Sequence, residues 1–164
     1  MTMTIPLTQG MQALVDDDDY AAVSTFRWYA MLRSGLWCAV RSGPRPKKTP
    51  IYMHREIVCP PHGLFVDHIN GNSLDNRRSN LRVCTNAENG RNRKTASNNT
   101  SGHRGISWSK RKGKWECYIK IDGKQLHVGL FDDLADAACA RVEAEVKHYG
   151  EFSPHLSRLE VTNE

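Results

Sequence analysis

None of the apolar runs in the 164 residues approaches the ~18–20 needed to span a bilayer. Met1 to Gly10 has neither the basic start nor the apolar stretch of a secretory signal, so membrane and secreted roles are not expected. The five cysteines (Cys38, Cys59, Cys84, Cys117 and Cys139) are odd in number and contain no C-x-x-C pair. That pattern predicts free thiols in a reducing compartment, not a disulfide framework. Aromatic residues are scarce at 8%, which counts against an RNA binder that stacks single-stranded bases on exposed rings. A chain of this length accommodates one compact domain or two or three very small ones, not a large single-core enzyme.

Charge is present in moderate amount and is unevenly placed. The net charge is +5, yet Arg77 to Lys124 holds 13 Lys and Arg against three acids, Glu88, Glu116 and Asp122. The remainder of the chain is acidic, with 10 basic and 15 acidic residues. A merely solvated surface scatters its charges, whereas a concentrated basic stretch is the electrostatic footprint of a phosphate-backbone binder.

Three segments separate by composition. In residues 1 to about 60, short apolar runs at Ile5–Leu7, Ala13–Val15, Phe26–Leu32, Leu36–Val40 and Ile51–Met53 predict short strands. Asp16 to Asp19 precede Tyr20–Val23 and predict a helix start; consecutive side chains diverge too far for the four to form a metal site. Arg41 to Pro50, with three prolines, a glycine and four basic residues, predicts a loop able to touch DNA. From Phe65 to about Lys94 the pattern predicts a strand, a long polar loop, a second strand and a helix from about Asn86. Thr95–Gly102 has no apolar anchor and predicts a linker. In the last segment Trp115, Cys117, Ile119 and Ile121 alternate with polar residues, Asp122-Gly123 suits a tight hairpin, and Gln125–Phe131 is the returning strand. Asp132 or Asp133 then caps a helix with Leu134, Ala138, Val142, Val146 and Tyr149 on one face, ended by Gly150.

The chemistry-bearing stretch is FVDHINGNSLDNRRSNLRVCTNAEN, with Asp67 and His68 adjacent, Asn80 twelve residues on and Asn89 nine further. These residues resemble the HNH endonucleases, in the branch where the last histidine is asparagine. IPLTQGMQALVDDDDY and YMHREIV extend the resemblance to phage and intron-encoded, homing-type members, over about Ile5 to Asn92. Phosphodiester hydrolysis needs an activated water and a cation to neutralise charge on the scissile phosphate. The Asp67 carboxylate and the Asn89 amide oxygen are hard ligands suited to Mg²⁺, with Mn²⁺ able to substitute, and His68 is suited to take the proton of water near neutral pH. The resemblance implies that Asn80 holds the loop and the His68 ring in orientation without binding metal. Arg77, Arg78 and Arg82 are read as phosphate-positioning. Asn70, Asn72 and Asn76 are read as turn formers, with Asn92 as the runner-up to Asn89. Cys59 and His62 at C-x-x-H spacing lack a second pair to complete a zinc set, and His54-Arg55 is open between a DNA contact and a helix cap.

Residues His103-Arg104-Gly105-Ile106, Gly113-Lys114-Trp115, Tyr118-Ile119-Lys120, Val128-Gly129-Leu130-Phe131 and the alanine-rich helix over 135–144 resemble a second family. This is the plant APETALA-two or ethylene-response-factor DNA-binding domain, also found fused to HNH nucleases. It implies a three-stranded sheet in the major groove backed by a helix, with Arg104, Tyr118, Lys120, Gln125 and His127 facing DNA. Two arginine positions of the plant pattern are Ser107 and Ser109 here.

The expected architecture is therefore α+β. An HNH nuclease region spans 1–94, with a ββα-metal core at about 64–94, followed by a linker at 95–102. A three-stranded antiparallel sheet packed on one helix occupies 103–152, and a tail 153–164. The expected activity is Mg²⁺-dependent nicking of duplex DNA at a preferred site, with no membrane association and no obligate protein partner. The expected location is the cytoplasm, that of the host cell for a phage-encoded protein. The rival is a DNA-binding regulator on a degenerate HNH core, against which the intact Asp67, His68, Asn80 and Asn89 set stands.

Overall fold

The computed structural model describes residues 1–92, 95 and 98–156. It divides into two compact units, Met1–Asn89 and Gly90–Glu164, and has the expected α+β character, with antiparallel sheets and short helices. No helix among the described residues is long and apolar enough to cross a membrane. All five cysteines are free thiols.

The first unit opens with a hairpin, β1 (Thr2–Pro6) paired to β2 (Gln12–Asp16), followed by α1 (Asp17–Ser24). A three-stranded meander follows: β3 (Tyr29–Arg33), β4 (Leu36–Ser42) and β5 (Pro50–Tyr52). Alternation puts Ala13 and Val15 of β2 and Ile5 of β1 inward, where they meet Val23, Trp28, Ala30, Ala39, Met53 and Ile57 in one apolar cluster. Trp28 is buried without an orphan, because its indole N–H donates to the Val23 carbonyl at 2.8 Å. Arg41 and Ser42, expected in a loop, end β4 instead, and the Arg41 guanidinium pairs with Glu56 at 2.8 Å while stacking on Phe26.

The helix α2 (Met53–Val58) was not expected, since its six residues are too few to show a period. It places the fully buried Met53 and the buried Ile57 into the cluster. The chain then forms β6 (Phe65–His68) and β7 (Leu81–Cys84), paired antiparallel with Asp67 opposite Arg82 and His68 opposite Leu81, and enters α3 (Asn86–Arg91). A capping box starts α3: Thr85 N–H donates to the Glu88 carboxylate at 2.7 Å and Glu88 N–H to the Thr85 hydroxyl at 3.3 Å.

The second unit is a sheet in the order β10-β9-β8, from β8 (Ile106–Ser109), β9 (Lys114–Ile121) and β10 (Lys124–Phe131), with α4 (Leu134–Tyr149) packed on β9 and β10. Asp122 and Gly123 turn the β9–β10 hairpin with φ of 47° and 81°, the positive pair that a tight two-residue turn requires. Gly105 has φ +72° and runs so close to β9 that a Cβ would collide with the Tyr118 carbonyl oxygen. Its own carbonyl accepts the Tyr118 N–H at 2.7 Å. Asp133 caps α4 through the Ala135 N–H at 2.6 Å.

Ser101, within the segment expected as a linker, is buried, and its hydroxyl donates to the Ile106 carbonyl at 2.7 Å. A polar anchor fixes it where an apolar one was sought; Ala96 and Ser97 lie outside the described residues. The inward face of α4 runs through Ala137, Arg141, Glu145 and Tyr149, and Val146 is 38% exposed. Arg141 and Glu145 can face inward because they pair at 2.8 Å and the Arg141 Nε–H donates to the Arg104 carbonyl. Of the stripe expected from hydrophobicity, Leu134 and Ala138 pack against the apolar cluster of this unit and Tyr149 is buried, while Val146 lies toward solvent.

Candidate nuclease site

Asp67 and His68 end β6, and both are buried, at 6% and 8% exposure. The antiparallel register sets Arg82 directly across from Asp67, and its Nε and Nη2 donate to Asp67 Oδ2 at 3.0 and 2.8 Å. His68 Nε2 lies 3.4 Å from Asn76 Oδ1. Burial lowers the His68 pKa, and the pull of Asn76, Asp67 and Asp75 in the other direction does not offset it.

The loop between β6 and β7 is tied by its own side chains. Asn80, 5% exposed, accepts the Asn70 N–H on Oδ1 at 2.9 Å and donates from Nδ2 to the Asp75 carbonyl at 2.7 Å, while its carbonyl accepts Ile69 N–H. Asn70 and Asn72 form successive Asx turns, accepting the N–H groups of Asn72 and Leu74. Asp75 binds Arg77 through Nε and Nη2, both at 2.8 Å. Burial works against the Asp75 carboxylate, but the Arg77 guanidinium holds its carboxyl below the usual range. The loop is also stitched to β2: Leu14 N–H donates to the Leu74 carbonyl and Asn76 N–H to the Leu14 carbonyl, both at 2.8 Å.

The three arginines expected on phosphates are each engaged by an acid of the first unit. Arg77 holds Asp75, Arg82 holds Asp67, and Arg78 grips both oxygens of Asp19 at 2.7 and 2.8 Å. Arg78 keeps a side chain 59% exposed while doing so. Asp16 was read as a helix-start acid, yet its side chain makes no cap bond and accepts the Arg78 N–H at 2.7 Å. Asp19, Asp75, Asn76 and His54 were all missed as members of this neighbourhood. His54 is half-buried on α2 with its ring edge-on to His68, centroids 5.0 Å apart. Burial, with His68 and Arg55 adding to it, pushes its pKa down to about 3. The adjacent His54-Arg55 pair was the one available signal, without any spacing to connect it to His68.

Asn89 lies on α3, its N–H donating to the Thr85 carbonyl at 3.0 Å. Nearby, burial and the Asp67 charge raise the Cys84 thiol to about 11. The Asp67 carboxylate and the Asn89 amide each offer oxygen of the kind a hard divalent cation takes, and the Asp67 carboxylate is held by Arg82. Among the described residues no three His, Cys, Asp or Glu side chains converge as a metal set. Cys59 instead donates its thiol to the Glu56 carbonyl.

In the second unit, register puts Gln125 opposite Lys120 and His127 opposite Tyr118, so these four side chains share the sheet face turned away from α4. The Tyr118 and His127 rings meet at 5.0 Å. Arg104 is used differently: its guanidinium donates to the carbonyls of Arg91 and Gly90 at 2.7 and 3.2 Å.

Residues 59–91 match the HNH endonuclease family. The chain is 45% identical over 93 residues to protein 3.8 of Escherichia phage T7, covering 57% of this chain and 76% of that protein. It is 35% identical over 90 residues to an uncharacterised HNH endonuclease of Acanthamoeba polyphaga mimivirus, covering 55% of this chain and about half (48%) of that protein. No solved structure matches. The chain thus belongs to the family of phage T7 protein 3.8 and carries an HNH endonuclease domain over residues 59–91.

Proposed function

We propose that the protein is a divalent-metal-dependent endonuclease that nicks duplex DNA in the cytoplasm of a phage-infected cell. The observation that carries this reading is the juxtaposition of Asp67 and His68 at the end of β6, facing a loop locked by Asn80. His68, neutral near pH 7, takes a proton from water as the water oxygen bonds to phosphorus and the bond to the leaving oxygen breaks. Asp67 and Asn89 would hold a Mg²⁺ or Mn²⁺ ion, whose contribution is to neutralise charge on the scissile phosphate. Asn80 acts on the loop and not on the phosphate, as its bonds to Asn70 and Asp75 suggest. Arg77, Arg78 and Arg82 brace acids; of the three, the exposed Arg78 is best suited to meet a phosphate as well.

The second unit serves as the DNA reader. The support is the resemblance to the plant DNA-binding domain together with the shared face of Tyr118, Lys120, Gln125 and His127. One site with one general base attends to one phosphate at a time, so the first product from supercoiled plasmid is the open circle.

A non-catalytic DNA-binding protein is favoured by one observation, the Arg82 guanidinium seated on the carboxylate meant for metal. Incubating supercoiled plasmid with the full chain, with Mg²⁺ and then with EDTA, separates the two. Open circles that form only with metal support the nuclease. Retarded but uncut plasmid in both conditions supports the binder.

A further inference from the structure

We propose that Arg33 is a phosphate anchor of the nuclease site, holding a DNA strand by a phosphate that flanks the one facing His68; the proposal rests on the reading of the His68 site as one that acts on DNA. Arg77, Arg78 and Arg82, the arginines nearest that site in sequence, are each already paired with an acid. Arg33, exposed at the end of β3, is not. Among the described residues its guanidinium meets the neutral Tyr52, donating from Nη1 to the phenol oxygen and lying 5.9 Å from the ring centre. Its field also reaches Cys38, whose thiol burial pushes up, so that group brings no negative charge near neutral pH.

Exposed basic side chains are common on protein surfaces; Arg33 is set apart by where it is held. β3 and β5 flank β4, and alternation puts Arg33, Cys38 and Tyr52 on one face of the meander. From Tyr52 a row of rings continues to His54, centroids 5.5 Å apart, and from His54 to His68, centroids 5.0 Å apart. His54 is neutral near pH 7, because burial pushes its pKa down to about 3. The row therefore runs from His68 to a cation with only uncharged rings between. Two rings of separation are too many for Arg33 and His68 to meet one phosphate, so the guanidinium is set for a neighbouring one. The bond to Tyr52 uses Nη1 and leaves the N–H groups of Nε and Nη2 for phosphate oxygens. It also limits the rotamers of a long side chain before DNA arrives, which lowers the entropy lost on binding.

The test is a salt titration of duplex binding by the full chain, read by fluorescence anisotropy of a labelled duplex in EDTA, where a metal-dependent nuclease does not cut. Arg33→Gln is expected to reduce the slope of log affinity against log salt by about one, the loss of a single phosphate contact. Arg33→Lys is expected to keep the wild-type slope. Tyr52→Phe, which frees the guanidinium but keeps its charge, is expected to keep the slope and to lower affinity less than Arg33→Gln does. A folded Arg33→Gln chain with the wild-type slope overturns the proposal, because a purely structural role for Arg33 would leave the slope alone.

In the nicking reaction an anchor binds ground state and transition state alike, so Arg33→Gln is expected to raise KM at least about fivefold with kcat near wild type. A fall in kcat at unchanged KM overturns the anchor role. A wild-type chain that binds DNA but never cuts it strikes the nuclease reading alone, since the slope is read without any reaction. A wild-type chain that does not bind duplex DNA overturns both.

Discussion

Arg78 grips both carboxylate oxygens of Asp19, which lies 59 residues earlier in the chain. The pair joins the first turn of α1 to the turn that carries Asn80, and Arg78 Nη2 also donates to the Ile57 carbonyl on α2. Asp19→Ala is expected to cost about 1 kcal/mol, because the Arg78 side chain is more than half exposed and water screens the pair. Thermal unfolding should then begin about 2–4 °C lower. An unchanged transition would mean that the pair contributes nothing to stability.

His68→Ala should lower nicking about 10²- to 10⁴-fold while DNA affinity stays near wild type. Burial holds the His68 imidazole below its ordinary range. The acid limb of the wild-type pH–rate profile should therefore have its midpoint below about 6.5. A midpoint above that value, or a His68→Ala chain cutting at wild-type rate, assigns the base elsewhere.

His54 makes stability fall in acid. Its pKa is about 3 when folded and ~6.5 when unfolded. Between these values the unfolded chain binds a proton that the folded one excludes, so stability declines as pH drops through this window and is unaffected above it. Urea midpoints at about pH 7 and about pH 4.5 should differ less in His54→Gln than in wild type. Equal differences in the two chains would show that His54 titrates normally in the fold.

Lys120 and Gln125 are neighbours across β9 and β10 and should behave differently on DNA. Lys120→Ala is expected to weaken binding uniformly across sequences and to reduce the salt slope by about one. Gln125→Ala should cost about 1–3 kcal/mol on the preferred site and relax preference at one base pair. If neither change alters affinity in a salt titration, this sheet face does not touch DNA.

What could be read from the chain was local. Alternation along Lys114–Ile121 forecast which residues of β9 turn inward, Asp122-Gly123 marked the hairpin, and Thr85 with Glu88 frames a helix start at the expected place. Partnerships across space were not legible. Nothing near Asp19 signals Arg78, and nothing in Asp75-Asn76-Arg77 distinguishes a turn from a buried bonding cluster. The inward charges of α4 were missed for a related reason: hydrophobic periodicity assumes that charges face water, while Arg141 and Glu145 pair with each other inside. His54 escaped because a six-residue helix shows no period and its contact with His68 is purely tertiary.

The two backbone bonds between Leu14 and the 74–76 loop have a consequence for dissection of the molecule. They lend the loop the edge of a strand that begins at Gln12, far outside the 59–91 segment matched to the HNH family. A fragment cut to the matched segment would lose the backbone partners of Leu74 and Asn76, along with Asp16 and Asp19, the acids that hold Arg78. The smallest piece able to preserve the His68 surroundings therefore begins at the first hairpin, and the N-terminal residues are a structural component of the nuclease module, not an appendage to it.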